Sequence, residues 1–182
     1  YPVLRMGKAD TGNVVYLSTK ESFSEFITNL NGGEVYADTT VKLMGNIDID
    51  GILSGRANGY KAAFSGVFDG QGYTLQNADG LNLFMTLNEG AVVRNLVVEI
   101  KEGYGSLQRE NQSGVIAQIC KGTIESCRVT GAVEPAANIT PGGAMSYGGF
   151  AYDNKGTIQN CVSGLAITSG LATSSNAQFS AG

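Results

Sequence analysis

The chain of 182 residues is long enough for one domain with a continuous core, and its 42% hydrophobic content excludes a disordered tail. Twenty-six glycines against three prolines fit many tight corners and argue against a fold of regular helices. The net charge of −4, with no run of like charges, excludes a basic footprint for nucleic acid and a polybasic membrane patch.

Residues 1–13 carry no periodicity and read as the tail of a preceding module or a linker. They lack the charged start, apolar middle and small-residue end of a signal peptide. No apolar stretch reaches the roughly 18 residues that span a bilayer. Val14–Leu17 is a short strand-like run. Ser18 with Glu21 forms a capping box, and Phe23, Phe26, Ile27 and Leu30 follow at helical spacing, which predicts a helix over about 18–31. Gly32 and Gly33 end it. A single amphipathic helix ahead of many strands suits a cap that covers an exposed apolar end and blocks edge pairing.

Val41 to Ile52 (VKLMGNIDIDGI) alternates, with Val41, Leu43, Ile47 and Ile49 on one face. Asp69, Gly70 and Gly72 mark a tight corner before the strand that begins near Tyr73. Leu75-Gln76-Asn77-Ala78 reads as apolar, polar, Asn, small. The same reading returns at Val93-Arg94-Asn95-Leu96, Ile124-Glu125-Ser126-Cys127 and Ile158-Gln159-Asn160-Cys161, in steps of 18, 31 and 34 residues. An offset of 34 superposes Gly114, Ala117, Lys121, Gly122, Thr123, Ile124 and Cys127 on Gly148, Ala151, Lys155, Gly156, Thr157, Ile158 and Cys161. Repetition of this kind points to stacked coils of a solenoid, here residues 14–182. The polar segments 101–112 and 134–146 are loops between coils and the expected contact surfaces. The closing QFSAG resembles the earlier MSYGG, so both ends look cut from a longer polypeptide.

Three cysteines cannot all pair internally. Cys127 and Cys161 fall at equivalent positions, with Cα atoms expected about 4.8 Å apart. Stacked side chains point the same way, however, and the dihedral of a disulfide is hard to reach from there. Free thiols serving as small core residues are expected.

The runs VKLMGNIDIDGI, FSGVFDGQGYTLQN and VVRNLVV, followed by two segments leading into KGTIESC and KGTIQNC, resemble the Glug-motif repeats. These repeats occur in large secreted and cell-surface bacterial proteins, including adhesin-like proteins and immunoglobulin A metalloproteases. The likeness covers Val14 to Gly182. It departs from the usual pattern where a second glycine is replaced by Gln118 and Tyr152. It implies a right-handed parallel β-helix, an extracellular or bacterial cell-surface location, and no catalytic residues. It also makes YPVLR the closing phrase of a preceding repeat.

Parallel β-helices also carry polysaccharide lyases and hydrolases. Glycoside hydrolysis needs two carboxyl groups roughly 5–9.5 Å apart, and Asp48, Asp50 and Asp69 are the clustered candidates. Asp48 and Asp50 are expected on one strand face about 6.8 Å apart. The preferred reading is structural: solvent-facing positions opposite Ile47 and Ile49, and a turn at Asp69. The same carboxylates are weak candidates for calcium, which wants six to eight oxygens, and no regular Asp-bearing repeat supports it. The absence of histidine removes Ser-His-Asp triads, histidine zinc sites and the two-histidine metalloprotease helix. Cys127 as a nucleophile would lack its usual partner. The glycines of FDGQG precede a strand, whereas a phosphate loop precedes a helix. Asn138-Ile139-Thr140 spells a glycosylation acceptor. Tyr104, Tyr147 and Tyr152 lie in or beside loops and are the candidates for a sugar-stacking strip.

The sequence therefore leads to an all-β fold, a right-handed parallel β-helix with one N-terminal capping α-helix. The expected function is that of a non-catalytic adhesion or ligand-presenting stalk. Its expected partners are host glycans, mucin or extracellular proteins and neighbouring repeats, with no cofactor. The alternatives are a carbohydrate-active β-helix built on the three aspartates, or an accessory domain of a secreted protease or glycosidase.

Overall fold

The structure is a computed structural model that describes residues 12–105, 112–134, 144–167 and 178–181. The described chain opens with β1 (Asn13–Leu17), helix α1 (Lys20–Gly32), β2 (Thr39–Leu43) and β3 (Ile47–Asp48). Next come β4 (Ala63–Phe64), β5 (Val67–Asp69), β6 (Thr74–Ala78), β7 (Phe84–Leu87), β8 (Val92–Arg94) and β9 (Val97–Ile100). Then follow β10 (Gln112–Gly114), β11 (Ala117–Cys120), β12 (Thr123–Glu125), β13 (Arg128–Val133), β14 (Ala144–Gly148), β15 (Ala151–Asn154), β16 (Thr157–Gln159), β17 (Val162–Ile167) and β18 (Gln178–Ala181). Among the described residues the fold is all-β but for α1.

Every strand pair among the described residues is parallel. The first sheet runs β1-β2-β5-β8-β12-β16, the second β3-β6-β9-β13-β17, the third β4-β7-β11-β15 and the fourth β10-β14-β18. From β4 onward the chain visits the third, first and second sheets in that order on each of four passes. The last two passes add a strand of the fourth sheet first. The first three sheets each contribute an inward row. In the first sheet it is Val15, Val41, Phe68, Val93, Ile124 and Ile158. Of these, Val41, Phe68, Val93 and Ile124 are fully buried. In the second sheet it is Ile47, Leu75, Val98 and Val129, and in the third Phe64, Leu87 and Cys120. The three rows meet in one apolar core.

The corner between the first and second sheets explains the recurring tetrapeptide. Asn95, Ser126 and Asn160 adopt left-handed φ values of 51°, 52° and 54°. Asn reaches that region more readily than most residues because its short polar side chain bonds locally. The next residue, Leu96, Cys127 or Cys161, then turns toward the core. The structure corrects the first copy. Leu75 pairs with Ile47 and Val98 in the second sheet, so it is out of line with Val93. The residue in line with Val93 is Phe68, and its corner uses Gln71 at φ 53° and Gly72 at φ 81°. Likewise the alternating run from Val41 to Ile52 is not one strand: β2 lies in the first sheet and β3 in the second, with a bend at Met44–Asn46.

Helix α1 stands where the first strands of the second and third sheets would otherwise lie, and it packs against β1, β3 and β4. Its buried Phe26 contacts the rings of Tyr36, Phe64 and Phe68 at centroid distances of 4.9, 6.3 and 5.7 Å. The carbonyls of Leu30 and Asn31, in the helix's last turn, accept N–H bonds from Ala62 and Lys61 at 3.2 and 3.4 Å. The orphan acceptors of the helix end thus serve donors beside the edge strand β4. The cap sits one residue later than expected. Thr19 Oγ1 accepts from Ser22 N at 3.2 Å, and Ser22 Oγ accepts from Thr19 N and Ser18 N at 3.1 Å, so Ser22 closes the box rather than Glu21. Gly33 ends the helix at φ 107°.

In the fourth sheet Ala144 pairs with Gln178 and Tyr147 with Ala181, which aligns QFSA with AMSY and keeps the spacing of 34. YPVLR, Asn138 and most of the loop 134–146 lie outside the described residues.

Candidate functional site

The three aspartates are not brought together. Asp69 ends β5 and is 8% exposed. Its carboxylate accepts from Gln71 N at 2.9 Å, Arg94 Nε at 2.8 Å and Asn95 Nδ2 at 3.2 Å. It belongs to an outward row in which Asp69, Arg94, Glu125 and Gln159 face one another strand by strand, and Gln159 Nε2 donates to Glu125 Oε2 at 2.9 Å. Asp48 ends β3, and its Oδ1 accepts from Asp50 N at 3.0 Å, so Asp50 lies just beyond the strand. Asp50 instead accepts from Lys101 Nζ at 2.7 Å. The Asp50 N–H, with the Asn77 side chain second, holds the Asp48 carboxyl below its ordinary range. A general acid needs the opposite displacement. Among the described residues no group of three or more His, Cys, Asp or Glu side chains stands close enough to hold a metal ion.

The tyrosine strip is corrected by burial. Tyr104 and Tyr147 are 7% and 3% exposed and pack in the core, and only Tyr152, at 38%, faces solvent. Core packing wins at those two positions because each lies where the chain returns to a sheet, Tyr104 just before a bridge at Gly105 and Tyr147 within β14.

All three cysteines are free. Cys127 N donates to Cys161 Sγ at 3.4 Å between the corners just before β13 and β17, the stacking expected of equivalent positions. Burial pushes the Cys127 thiol up to about 12 and raises that of Cys120, which suits packing and opposes nucleophilic chemistry.

A concave surface that the sequence reading missed lies between α1 and the loop 51–60. Two buried charged side chains shape that loop. Asp79, 7% exposed, accepts from Gly51 N at 2.7 Å, Leu53 N at 3.2 Å and Ser54 N at 3.3 Å, and from the Ser54 hydroxyl. Arg56, 5% exposed, donates to the carbonyls of Leu53, Asn82 and Leu81 at 3.2, 2.8 and 2.5 Å. Its guanidinium carbon lies 4.1 Å from the centre of the Tyr60 ring. The resulting groove has a volume of about 480 Å³, with Ser24, Thr28 and Asn31 on the helix side and Ile52, Asn58 and Tyr60 on the loop side. Asn31 Oδ1 is buried and has no hydrogen-bond partner among the described residues. A second groove of about 760 Å³ shares Ser24, Thr28 and Ile52 and continues past Glu21, Glu25 and Asp50. The sequence signal was faint: GRANGY looks like a polar turn, and nothing in it marks Arg56 as buried.

No family model, curated protein or solved structure matches the chain.

Proposed function

We propose that the chain is a right-handed parallel β-helix serving as a non-catalytic, ligand-presenting module of a large secreted or cell-surface bacterial protein of the Glug-motif kind. The observation that carries the reading is the ordered return of the chain to the same sheets with rows such as Phe68, Val93, Ile124 and Ile158 in register. Each pass leaves connecting loops outside the stack, where they vary without disturbing the core. The engagement of Asp69 by Arg94 and of Asp50 by Lys101 also supports it, since a carboxylate held in a salt bridge is poorly placed for acid–base work.

The test couples two measurements on the whole chain. Beads coated with the protein are washed over immobilised mucin, collagen and neutral glycans, and in parallel the protein is incubated with acidic and neutral polysaccharides. Retention on at least one surface without release of new sugar ends is expected. Release abolished by Asp69→Asn overturns the non-catalytic reading, and loss of retention on every surface overturns ligand presentation.

A further inference from the structure

We propose that the groove between α1 and the loop 51–60 binds a neutral oligosaccharide, with one sugar ring against Tyr60 and a hydroxyl donating to Asn31 Oδ1. The inference rests on the ligand-presenting reading and names the ligand class.

Four observations converge on it. The first is the unpartnered Asn31 Oδ1, a buried acceptor with no donor among the described residues, which is costly to leave unmet. Asn31 lines the groove, and a turn of its side-chain amide lets a ligand hydroxyl supply that donor. The second is Tyr60, whose ring is braced by the Arg56 guanidinium at 4.1 Å. An aromatic ring fixed beside polar side chains suits a pyranose, which has an apolar C–H face and a hydroxyl rim. Thr28 Oγ1 already donates to Ser24 O at 2.8 Å, which leaves its lone pairs free to accept from that rim.

The third observation is preorganisation. Asp79 holds the loop's backbone amides, and Arg56, itself in the loop, anchors it to the carbonyls of Leu81 and Asn82, so little ordering entropy is lost on binding. The fourth is charge. Arg56 Nε, Nη1 and Nη2 all donate to carbonyls, so the groove offers a poor cradle for phosphate or sulfate. Its continuation carries the carboxylates of Glu21 and Glu25 against the ammonium of Lys20, with Asp50 paired to Lys101, which disfavours uronic and sialic acids at low salt. The groove's 480 Å³ falls within the roughly 300–1,000 Å³ of small-molecule sites, and the adjoining groove extends it beyond one sugar unit.

The experiment is an amide-resonance titration of the whole chain with cellotriose, maltotriose, triacetylchitotriose and lacto-N-tetraose, and with sialyllactose and trigalacturonate as acidic probes. At least one neutral probe is expected to shift amides of residues 24–31 and 51–60 saturably, with a Kd on the order of millimolar. Tyr60→Ala is expected to weaken it at least about tenfold, and Tyr152→Ala to leave it unchanged. Should Tyr60→Ala disturb the fold, Asn58→Ala, on the exposed loop, is expected to weaken binding severalfold in a folded protein. Neutral probes that leave these amides unmoved, meaning that ordered water alone fills the groove, overturn the proposal. So do shifts that map elsewhere, and acidic probes that bind equally well. Retention of coated beads on collagen or on protein-borne epitopes of mucin, without any neutral-sugar binding, would sink this inference and leave the ligand-presenting reading standing.

Discussion

Arg94 Nε donates to Asp69 Oδ2 at 2.8 Å across β8 and β5, joining residues 25 apart in sequence with both side chains largely buried. The pair ties the corner after β5 to the next pass of the chain. Asp69→Ala removes the acceptor of bonds from Arg94 Nε, Gln71 N and Asn95 Nδ2. A loss of about 2–4 kcal/mol is expected, read from chemical denaturation. An Asp69→Ala protein as stable as the parent would show that the carboxylate is not structural.

The glycines of the two KGTI segments answer to close backbone approach. A Cβ on Gly122 would run into the carbonyl oxygen of Ala91, and one on Gly156 into that of Gly122. Gly122→Ala and Gly156→Ala are each expected to cost about 1–3 kcal/mol. Gly45, with open space around its Cβ direction and no positive φ, is the control: Gly45→Ala is expected within about 0.5 kcal/mol of the parent. Equal effects at the three sites in thermal melts would contradict the stacking.

The left-handed corners give a finer test. Ser126 sits at φ 52°, where its neighbours in line are Asn95 and Asn160. Ser126→Gly is expected to stabilise by a few tenths to about 1 kcal/mol, and Asn95→Val to destabilise by about 1–3 kcal/mol. Denaturant midpoints measure both.

What was legible in the sequence follows the same physics. The 34-residue offset put Ile124 opposite Ile158 and Cys127 above Cys161, because identical side chains at one register position report a shared environment. Helix α1 was legible from Phe23, Phe26, Ile27 and Leu30, all of them buried. The tetrapeptide at Leu75 misled because Asn77, at φ 55°, shares the left-handed conformation of Asn95 but sits within β6, at the register shift between Leu75 and Ala78, in a different sheet. The groove was hidden because Arg56 and Asp79 owe their burial to long-range carbonyl and amide partners that no local pattern announces.

Thiol burial makes stability depend on alkaline pH. The Cys127 thiol ionises near 9 in an unfolded chain and only at about 12 in the fold, so the folded state binds the proton more tightly. Stability from this group is fully present below about pH 9. It falls by up to about 1.4 kcal/mol per pH unit as pH rises toward 12. Cys127→Ala is expected to flatten the fall in denaturation curves between those limits. The parent's Cys127 is also expected to resist alkylation at pH 8 until the protein is unfolded.

Removing the Phe26 ring tests the cap. Phe26→Ala is expected to cost about 3–5 kcal/mol and to promote association, because loosening α1 uncovers β3 and β4. Calorimetry and light scattering read the two effects. A stable monomeric variant would show that the helix does not guard that end.

The most direct test of the account is the set of interstrand proton contacts in solution. It expects parallel-strand contacts linking Phe68 with Val93, Val93 with Ile124 and Ile124 with Ile158, and Leu75 linked to Ile47 and Val98 alone. Antiparallel contacts among these strands, or a contact pairing Leu75 with Val93, would contradict the stacked order on which the scaffold, the groove and the proposed function depend.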